Sequence, residues 1–365
     1  MKLILKHARL VDETIKDIVI DGHTIIDVLE GYEGEGHIID LRGEVYVSGG
    51  WIDLHTHAFP KFPPYFAQPD VIGYQSGVTT VVDAGSSGCD DIADFYRIAK
   101  ASKTRVLAFL NISKIGLRRI DELADLTNVQ HEPLRQAYEK YAPFLVGLKA
   151  RISASVVKEN GIKPLQVARI FADELQLPIM VHVGSEPPLI TDILDELQEG
   201  DILTHCFNGK KNNIFLNEEK PVQQLYDALK RGVLLDIGHG RESFSFETAR
   251  KAKAANIPFH TISTDIYEGN RVNGPVYSMA SVLTKFLYLG YDLQTIMKAV
   301  TETPAEIIKQ EKLGKVEKGY IADLTLFTVE KEKVTLVDST GETVEYDRKI
   351  VPKSVVLGGE YIGIE

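Results

Sequence analysis

Two histidines separated by one residue, His55 and His57, follow a short apolar stretch that begins at residue 50. Side chains along a β-strand alternate between its two faces, so both imidazoles project to the same side, with Asp53 behind them. Two imidazoles that converge at the end of a strand can hold one metal ion. Paired histidines are nevertheless commoner in cores and on surfaces than at metal sites, so this interpretation depends on further ligands elsewhere in the chain.

Four more residues with metal-binding chemistry stand at or near the ends of other apolar runs: Lys149, His182, His205 and Asp265. Taken singly, either histidine would more often be a core residue, and the aspartate could cap a turn. Lys149 is the most informative, because a lysine beside the apolar segment 144–148 is not expected inside a protein without a reason. The set as a whole predicts a metal site more strongly than any one of its members.

A lysine ammonium has the wrong charge for a place beside a metal. Carbamylation of the Lys149 amine by carbon dioxide would give an anion with two oxygens, which suits a bridge between two cations about 3.5–4 Å apart. Imidazole and carboxylate ligands favour zinc over manganese or iron. The sequence therefore predicts two divalent ions, with zinc as the expected metal.

These residues can meet only if the secondary-structure elements that carry them end at the same place. The sequence pattern from residue 51 to about 310 predicts such elements. The predicted strands cover residues 51–57, 78–83, 105–112, 144–152, 178–184, 201–206, 233–238 and 260–266. Helical patterns between them cover residues 91–102, 131–141, 164–176, 189–198, 221–231, 244–255 and 276–289. This alternation predicts an α/β protein with a (β/α)₈ TIM-like barrel, whose active site forms where the strands end. An open doubly wound sheet is the alternative, but no Gly-x-Gly-x-x-Gly follows the first strand.

The two ends of the chain share a different texture, with short β-rich segments and frequent glycines. We expect them to pair into one small β-domain beside the barrel. The predicted division is 1–48 and 313–365 for the two parts of this domain and 49–312 for the barrel.

Composition excludes several classes of protein. The chain has 365 residues and a net charge of −11, and it has no basic block beyond Lys210-Lys211, so a nucleic-acid surface is not expected. No apolar run of about 18 residues occurs, which argues against a membrane span. Two cysteines, Cys89 and Cys206, are too few for a disulfide framework, and the N-terminus has no signal-peptide pattern. We therefore expect a cytoplasmic protein.

With these motifs the chain resembles the amidohydrolase superfamily, in the binuclear type with a carbamylated lysine. The resemblance covers nearly the whole chain and rests on the six residues above and on four segments: 50–57, 77–83, 303–305 and 319–324. It implies a distorted (β/α)₈ barrel with a small β-sandwich formed by both termini. It also implies that His55, His57 and Asp265 hold the first metal, that His182 and His205 hold the second, and that Lys149 bridges them.

The implied chemistry is hydrolysis by a hydroxide that two divalent cations share, because a metal can lower the pKa of bound water to about 7. Asp265 would accept the proton of this hydroxide and pass it to the leaving group. Arg151 shares the strand face of Lys149 and is the candidate to bind a substrate carboxylate or to stabilise the oxyanion. The alternative for Arg151 is an ion pair with an acidic residue at the rim.

Other residues near the strand ends have open roles. His239, between two glycines, could reach the substrate or be a loop histidine without a catalytic task. Tyr267 could lean over the pocket, although packing is the simpler expectation. A third group, Lys210, Lys211 and Asn212, could meet an anionic substrate, but a solvated surface is the expected role.

Departures from related patterns narrow the reaction. Dihydroorotases of the superfamily usually have an arginine two places after the second histidine, where this chain has Phe59. Adenine deaminases typically follow the histidine pair with Glu-Ser-Ser and lack the bridging lysine, whereas this chain has Lys149. The segment 77–86 looks most like the deacetylase branch. We therefore predict a deacetylase or esterase that cleaves an acetyl or other acyl group from a small acylated hydroxy acid or N-acyl amino acid.

Three alternatives stay open. One is a cyclic-amide hydrolase of the dihydroorotase or hydantoinase kind, and another is an adenine-deaminase-like enzyme. The third, a non-catalytic binding subunit, is the least favoured because the ligand set is intact. The expected partner is a small molecule that carries a carboxylate, with no nucleic acid and no membrane. A homo-oligomer is compatible with the family, whose barrels often pair.

Overall fold

Seven parallel strands form a curled sheet at the centre of the protein, in which each strand pairs with the next one along the chain. The computed structural model describes residues 2–216 and 218–364. The strands of this sheet are β6 (Trp51–Thr56), β7 (Val78–Ala84), β8 (Arg105–Asn111), β9 (Leu145–Ile152), β10 (Ile179–Val183), β11 (Ile202–Thr204) and β12 (Leu234–Asp236). Their residues are almost entirely buried, as expected for a parallel sheet covered on both faces.

The predicted eighth strand, 260–266, is not a regular strand. It contacts both edges of the curled sheet through isolated parallel bridges, one from Thr261 to Asp236 in β12 and one from Ile266 to Thr56 in β6. The backbone of Asp265 is left-handed, with φ of 51°, and this interrupts the extended geometry that a continuous ladder needs. Seven of the eight predicted strands are therefore regular, and the eighth segment is an irregular connection between the two edges.

Helices lie between the strands and cover the sheet. They are α1 (Pro69–Ile72), α2 (Ile92–Ala101), α3 (His131–Tyr141), α4 (Ala154–Val157), α5 (Lys163–Leu175), α6 (Ile190–Glu196), α7 (Gln223–Lys230), α8 (Phe246–Ala254), α9 (Glu268–Asn273), α10 (Met279–Tyr288), α11 (Leu293–Lys298) and α12 (Glu302–Ile307). The seven helices predicted from the sequence are all present, each within a few residues of its expected ends. Their apolar faces join the outer side of the strands in one large core.

The two termini together form a mixed sheet beside the curled one. Its strands are β1 (Leu3–Leu10), β2 (Ile15–Asp21), β3 (Thr24–Leu29), β4 (His37–Asp40), β5 (Tyr46–Gly49), β13 (Leu324–Glu330), β16 (Lys349–Leu357) and β17 (Glu360–Gly363). The N-terminal and C-terminal parts meet where β5 pairs with β13 in antiparallel register. The association of the two ends is thus confirmed, as one hydrogen-bonded mixed sheet.

A separate hairpin of β14 (Val334–Val337) and β15 (Thr343–Tyr346) leaves the mixed sheet and reaches the helical layer. The backbone N–H of Ser339 at its tip donates to Phe244 O at 3.0 Å. The carboxylate of Asp338 accepts from Phe246 N at 2.8 Å, at the start of α8. The C-terminal segment therefore supports the loop that follows β12. No helix in the described ranges is long and apolar enough to cross a membrane.

Candidate active site

The six predicted ligands come together at the carboxyl ends of the strands. His55 lies in β6 and His57 just after it, Lys149 lies in β9, and His182 lies in β10. The other two, His205 directly after β11 and Asp265 in the bridging segment, complete the group. A cavity of about 440 Å³ opens over the site, and five of the six line it; His205 is fully buried. Strand direction accounts for the convergence of the residues in and directly after the strands, because parallel strands all end at one edge of their sheet.

The distances within the group divide it into two parts. Oδ1 of Asp265 lies 3.1 Å from Nε2 of His57 and 3.4 Å from Nε2 of His55. Nε2 of His205 lies 2.8 Å from Nδ1 of His182. These are the two sets that the resemblance assigned to the first and second metals. Ligand atoms of His55, His205 and Asp265 also lie within 4.8 Å of one another, so the two parts are contiguous.

The tautomer of His55 follows from its neighbours. Oγ1 of Thr204 donates its single proton to Oδ2 of Asp236 at 2.7 Å. The same hydroxyl lies 2.8 Å from Nδ1 of His55, so it accepts the Nδ1 proton. Nε2 of His55 therefore has a free lone pair that faces the centre of the site. This relay of carboxylate, hydroxyl and imidazole is typical of the shell behind metal-binding histidines.

Two further imidazoles are held in the same way. Nδ1 of His205 donates to the carbonyl oxygen of Gly238 at 2.6 Å, and a carbonyl can only accept. Nδ1 of His57 contacts Oγ of Ser86 at 2.8 Å. Both rings turn Nε2 toward the centre, whereas His182 turns Nδ1 toward it. These inward nitrogens beside one carboxylate are a donor set that fits divalent cations.

Burial keeps three of the imidazoles in the neutral form that metal binding needs. Desolvation lowers the pKa of His205 to about 4 and moves the pKa values of His55 and His182 well below the usual value. Burial also lowers the pKa of Lys149 to about 7, opposed by the charge of Asp265. Nζ of Lys149 lies 3.4 Å from Nε2 of His55 and forms no ion pair within the described chain. A buried amine without a direct ion pair fits a residue whose working form is an anion.

Arg151 forms an ion pair, which is one of the two possibilities that its position in the sequence left open, and it also faces the cavity. Its side chain lines the cavity, and its Nη1 lies 3.2 Å from Oε2 of Glu122. The carboxylate of Glu122 is fully buried, and burial raises its pKa against the opposing charge of Arg151. The guanidinium also lies over the ring of Tyr65, 5.6 Å from the centroid. The arginine is thus oriented from behind while its face toward the cavity stays available.

The structure does not place His239 in the cavity wall, although contact with the substrate was one of the two roles that the sequence left open. The chain turns at Gly238 and Gly240, both with positive φ, and the imidazole between them is fully buried. Its ring stacks on Phe244, and its Nε2 lies 2.8 Å from Nζ of Lys285 on α10. His239 therefore belongs to the packing that supports the loop.

The other loop residues named from the sequence lie partly inside the cavity and partly outside it. Tyr267 lines the cavity, although packing was the simpler expectation. Lys210 also lines it, although a solvated surface was expected, whereas Lys211 is exposed outside it and Asn212 is buried under α6. Arg241, which lines the cavity two residues after His239, was not predicted from the sequence. The sequence did contain one signal for it, a basic residue that shortly follows a glycine at the end of a predicted strand.

An α/β fold that gathers four histidines, a lysine and an aspartate around the carboxyl ends of its parallel strands is the arrangement of hydrolases of the amidohydrolase superfamily. The chain is 42% identical over 361 residues to a deacetylase of Enterococcus faecalis, with 98% of each chain covered. A family model of the deacetylase-like composite domain matches residues 316–362. The chain belongs to the deacetylase family of this superfamily.

Two solved structures show the same architecture at high similarity. One, described as an adenine deaminase, has a TM-score of 0.96 at 42% identity and covers 99% of both chains. The other, described as a dihydroorotase, has a TM-score of 0.92 at 32% identity and covers 100% of this chain and 99% of its own.

Proposed function

We propose that the protein removes an acyl group, most simply acetyl, from a small N-acyl amino acid or O-acylated hydroxy acid. Family membership supports a hydrolase of this kind, and the cavity supports a substrate with a carboxylate. The single observation that carries the proposal is the convergence of Asp265 and the inward imidazole nitrogens on the cavity that Arg151 also lines.

The proposed cofactors are two divalent ions, most simply zinc, with Lys149 carbamylated on Nζ. The contiguity of the two ligand sets and the unpaired buried amine support this assignment. Such ions supply a Lewis acid for the scissile carbonyl and an activated water at neutral pH. We also propose that segment 260–266 closes the curled sheet into a (β/α)₈ barrel, since it contacts β6 and β12 through its bridges.

The chain's own residues then have separate tasks. Asp265 presents Oδ1 to the centre of the site, where it can hold a proton and return it to the leaving group. Arg151 binds the substrate carboxylate through charge-assisted hydrogen bonds and thereby orients the scissile bond. Tyr267 forms part of the wall beside Asp265 and excludes water from one side.

A substrate screen with acetate detection tests the proposal. The screen should contain both enantiomers of N-acetyl amino acids and of acetylated hydroxy acids, with metal content measured on the same sample. We expect acetate release from at least one class, lost on chelation and restored by zinc. Failure of every acetylated compound with a metal-loaded protein would refute it.

A cyclic-amide hydrolase is the second candidate, favoured by the similarity to a structure described as a dihydroorotase. Phe59 argues against it, because its side chain is fully buried against Phe62 and Phe95 and presents no cation for a substrate carboxylate. Dihydroorotate, hydantoins and adenine belong in the same screen. Ring opening or ammonia release without acetate release would favour these alternatives.

A further inference from the structure

We propose that the natural substrate carries a second anionic group, which Lys210 and Arg241 bind at the outer wall of the cavity. This inference rests on the proposed acyl hydrolysis and names the substrate class of the same site. Besides Lys149, three cationic side chains line the cavity together with the carboxylates of Glu242 and Asp265, although the chain as a whole has a net charge of −11. They come from three different strand ends, so local sequence composition does not explain their meeting.

The inner cation already has a partner. Arg151 is held by the fully buried Glu122, which offsets its charge and fixes its direction. The side of the Arg151 guanidinium that faces the cavity can bind one substrate carboxylate beside the scissile bond. The other two cations are therefore not needed for a substrate that has a single carboxylate.

The outer cations have no comparable countercharge. Nζ of Lys210 lies 3.6 Å from Oε2 of Glu242, whose side chain is 73% exposed, and Lys210 itself is 34% exposed. Such an exposed contact contributes little stability, so an anionic ligand can replace it. Arg241 forms no ion pair in the part of the chain that the structure describes. A strongly anionic group would therefore meet two available cations here.

Both side chains start from anchored backbone. The N–H of Lys210 donates to Oδ1 of Asn208 at 3.0 Å. Beside Arg241, the N–H of Gly240 donates to Thr264 O at 2.9 Å, and the hydroxyl of Ser339 donates to Gly240 O at 3.0 Å. The hairpin that reaches across from the C-terminal segment thus holds the base of the Arg241 loop. Preorganisation of this kind lowers the entropy cost of binding.

The size of the cavity agrees with a second group. Its volume of about 440 Å³ falls within the range of about 300–1,000 Å³ that is common for small-molecule sites. The second group of the substrate is a compact anion. A carboxylate and a phosphate monoester both have this chemistry. A guanidinium can bind both in a bidentate manner.

Matched substrate pairs test the inference. Each pair differs only in the second charge: N-acetyl-aspartate against N-acetyl-asparagine, N-acetyl-glutamate against N-acetyl-glutamine, and N-acetyl-phosphoserine against N-acetyl-serine, all in both enantiomers. We expect kcat/KM for at least one anion to exceed that of its neutral partner by roughly 10- to 100-fold. Preference for phosphoserine alone assigns a phosphate, and preference for aspartate or glutamate assigns a carboxylate.

Variants then locate the preference. Arg241→Met and Lys210→Met should each reduce the ratio between the anionic and neutral partners about tenfold. Lys211→Met is the matched control, because it removes a neighbouring cation that lies outside the cavity, and it should keep the wild-type ratio. Ratios near one for every pair, or an equal effect of all three substitutions, would overturn the inference.

A binding measurement separates this inference from the proposed function. Calorimetry with the deacylated compounds, phosphoserine against serine and aspartate against asparagine, needs no turnover. Tighter binding of the anions that is lost in Arg241→Met supports the second anion site even if no acetyl compound is hydrolysed. Equal binding of both partners rejects the site even if N-acetyl-alanine is a good substrate.

Discussion

Replacement of Gly240 by alanine should disable the site through one added methyl group. Gly240 has a φ of +55°, and a Cβ there would overlap Oδ2 of Asp265 and lie 3.4 Å from its Cγ. The carboxylate would have to move by roughly 1 Å to restore ordinary contact. We expect such a displacement to lower kcat/KM by about 100-fold, because catalysis depends steeply on the position of reacting groups.

The substitution also strains the backbone, and a control separates that effect. Gly161 has the same φ of +55°, but a Cβ added there would meet no atom within 4 Å. Both alanine variants should lose about 1–3 kcal/mol in the free energy of unfolding, because a positive φ is costly for a residue that has a Cβ. Only Gly240→Ala should also lose activity and metal affinity.

Urea unfolding, chelator competition and acetate release measure the three quantities on the two variants. If Gly240→Ala keeps the metal affinity and kcat/KM of Gly161→Ala, the close approach to Asp265 has no functional role. The proposed role of Asp265 as a metal ligand and proton carrier would then have to be abandoned.

Three further predictions concern residues in the cavity wall or behind it. Thr204→Val removes the acceptor of His55 Nδ1–H, so metal affinity measured by chelator competition should fall about 10- to 100-fold; an unchanged affinity would contradict the relay. Arg151→Met should raise KM for a carboxylate substrate and cost about 3–5 kcal/mol of stability, because Glu122 is left buried without its partner. Adding Glu122→Gln should recover stability in urea while KM stays high, and a recovered KM would reduce Arg151 to a structural role. Burial lowers the pKa of Lys285 to about 7. Between pH 7 and about 10 the unfolded chain therefore binds more protons at this residue than the folded chain does. The free energy of unfolding then rises with pH, by up to about 1.4 kcal/mol per pH unit. The stability of wild type relative to Lys285→Met, from urea unfolding at about pH 7 and pH 9, should therefore increase with pH, and a constant difference would disprove the buried amine's contribution.

Strand ends made much of the site predictable. The alternation of side chains placed His55 and His57 on one face, and the apolar run before Lys149 marked that lysine as exceptional. Both patterns are local in the sequence. Parallel strands bring the residues that carry them close together, because the strands end at the same edge of the sheet. The seven helices were predictable for the same reason, since their periodicity is contained in each segment.

The features that could not be predicted from the sequence depend on contacts between distant parts of the chain. His239 is buried because Lys285, 46 positions later, meets its Nε2, and no pattern around residue 239 reports this. The irregular eighth segment follows from the left-handed backbone of Asp265, a conformation that its residue type permits but does not require. Arg241 and Lys210 resembled surface cations because charge alone does not distinguish an exposed loop from a cavity wall.

The most direct test of the account is a crystal structure of the metal-loaded protein with anomalous data collected at the zinc absorption edge. We expect two peaks about 3.5–4 Å apart, one beside His55, His57 and Asp265 and one beside His182 and His205, with carbamate density on Nζ of Lys149 between them. An unmodified Lys149, or no peak within bonding distance of these side chains, would contradict it.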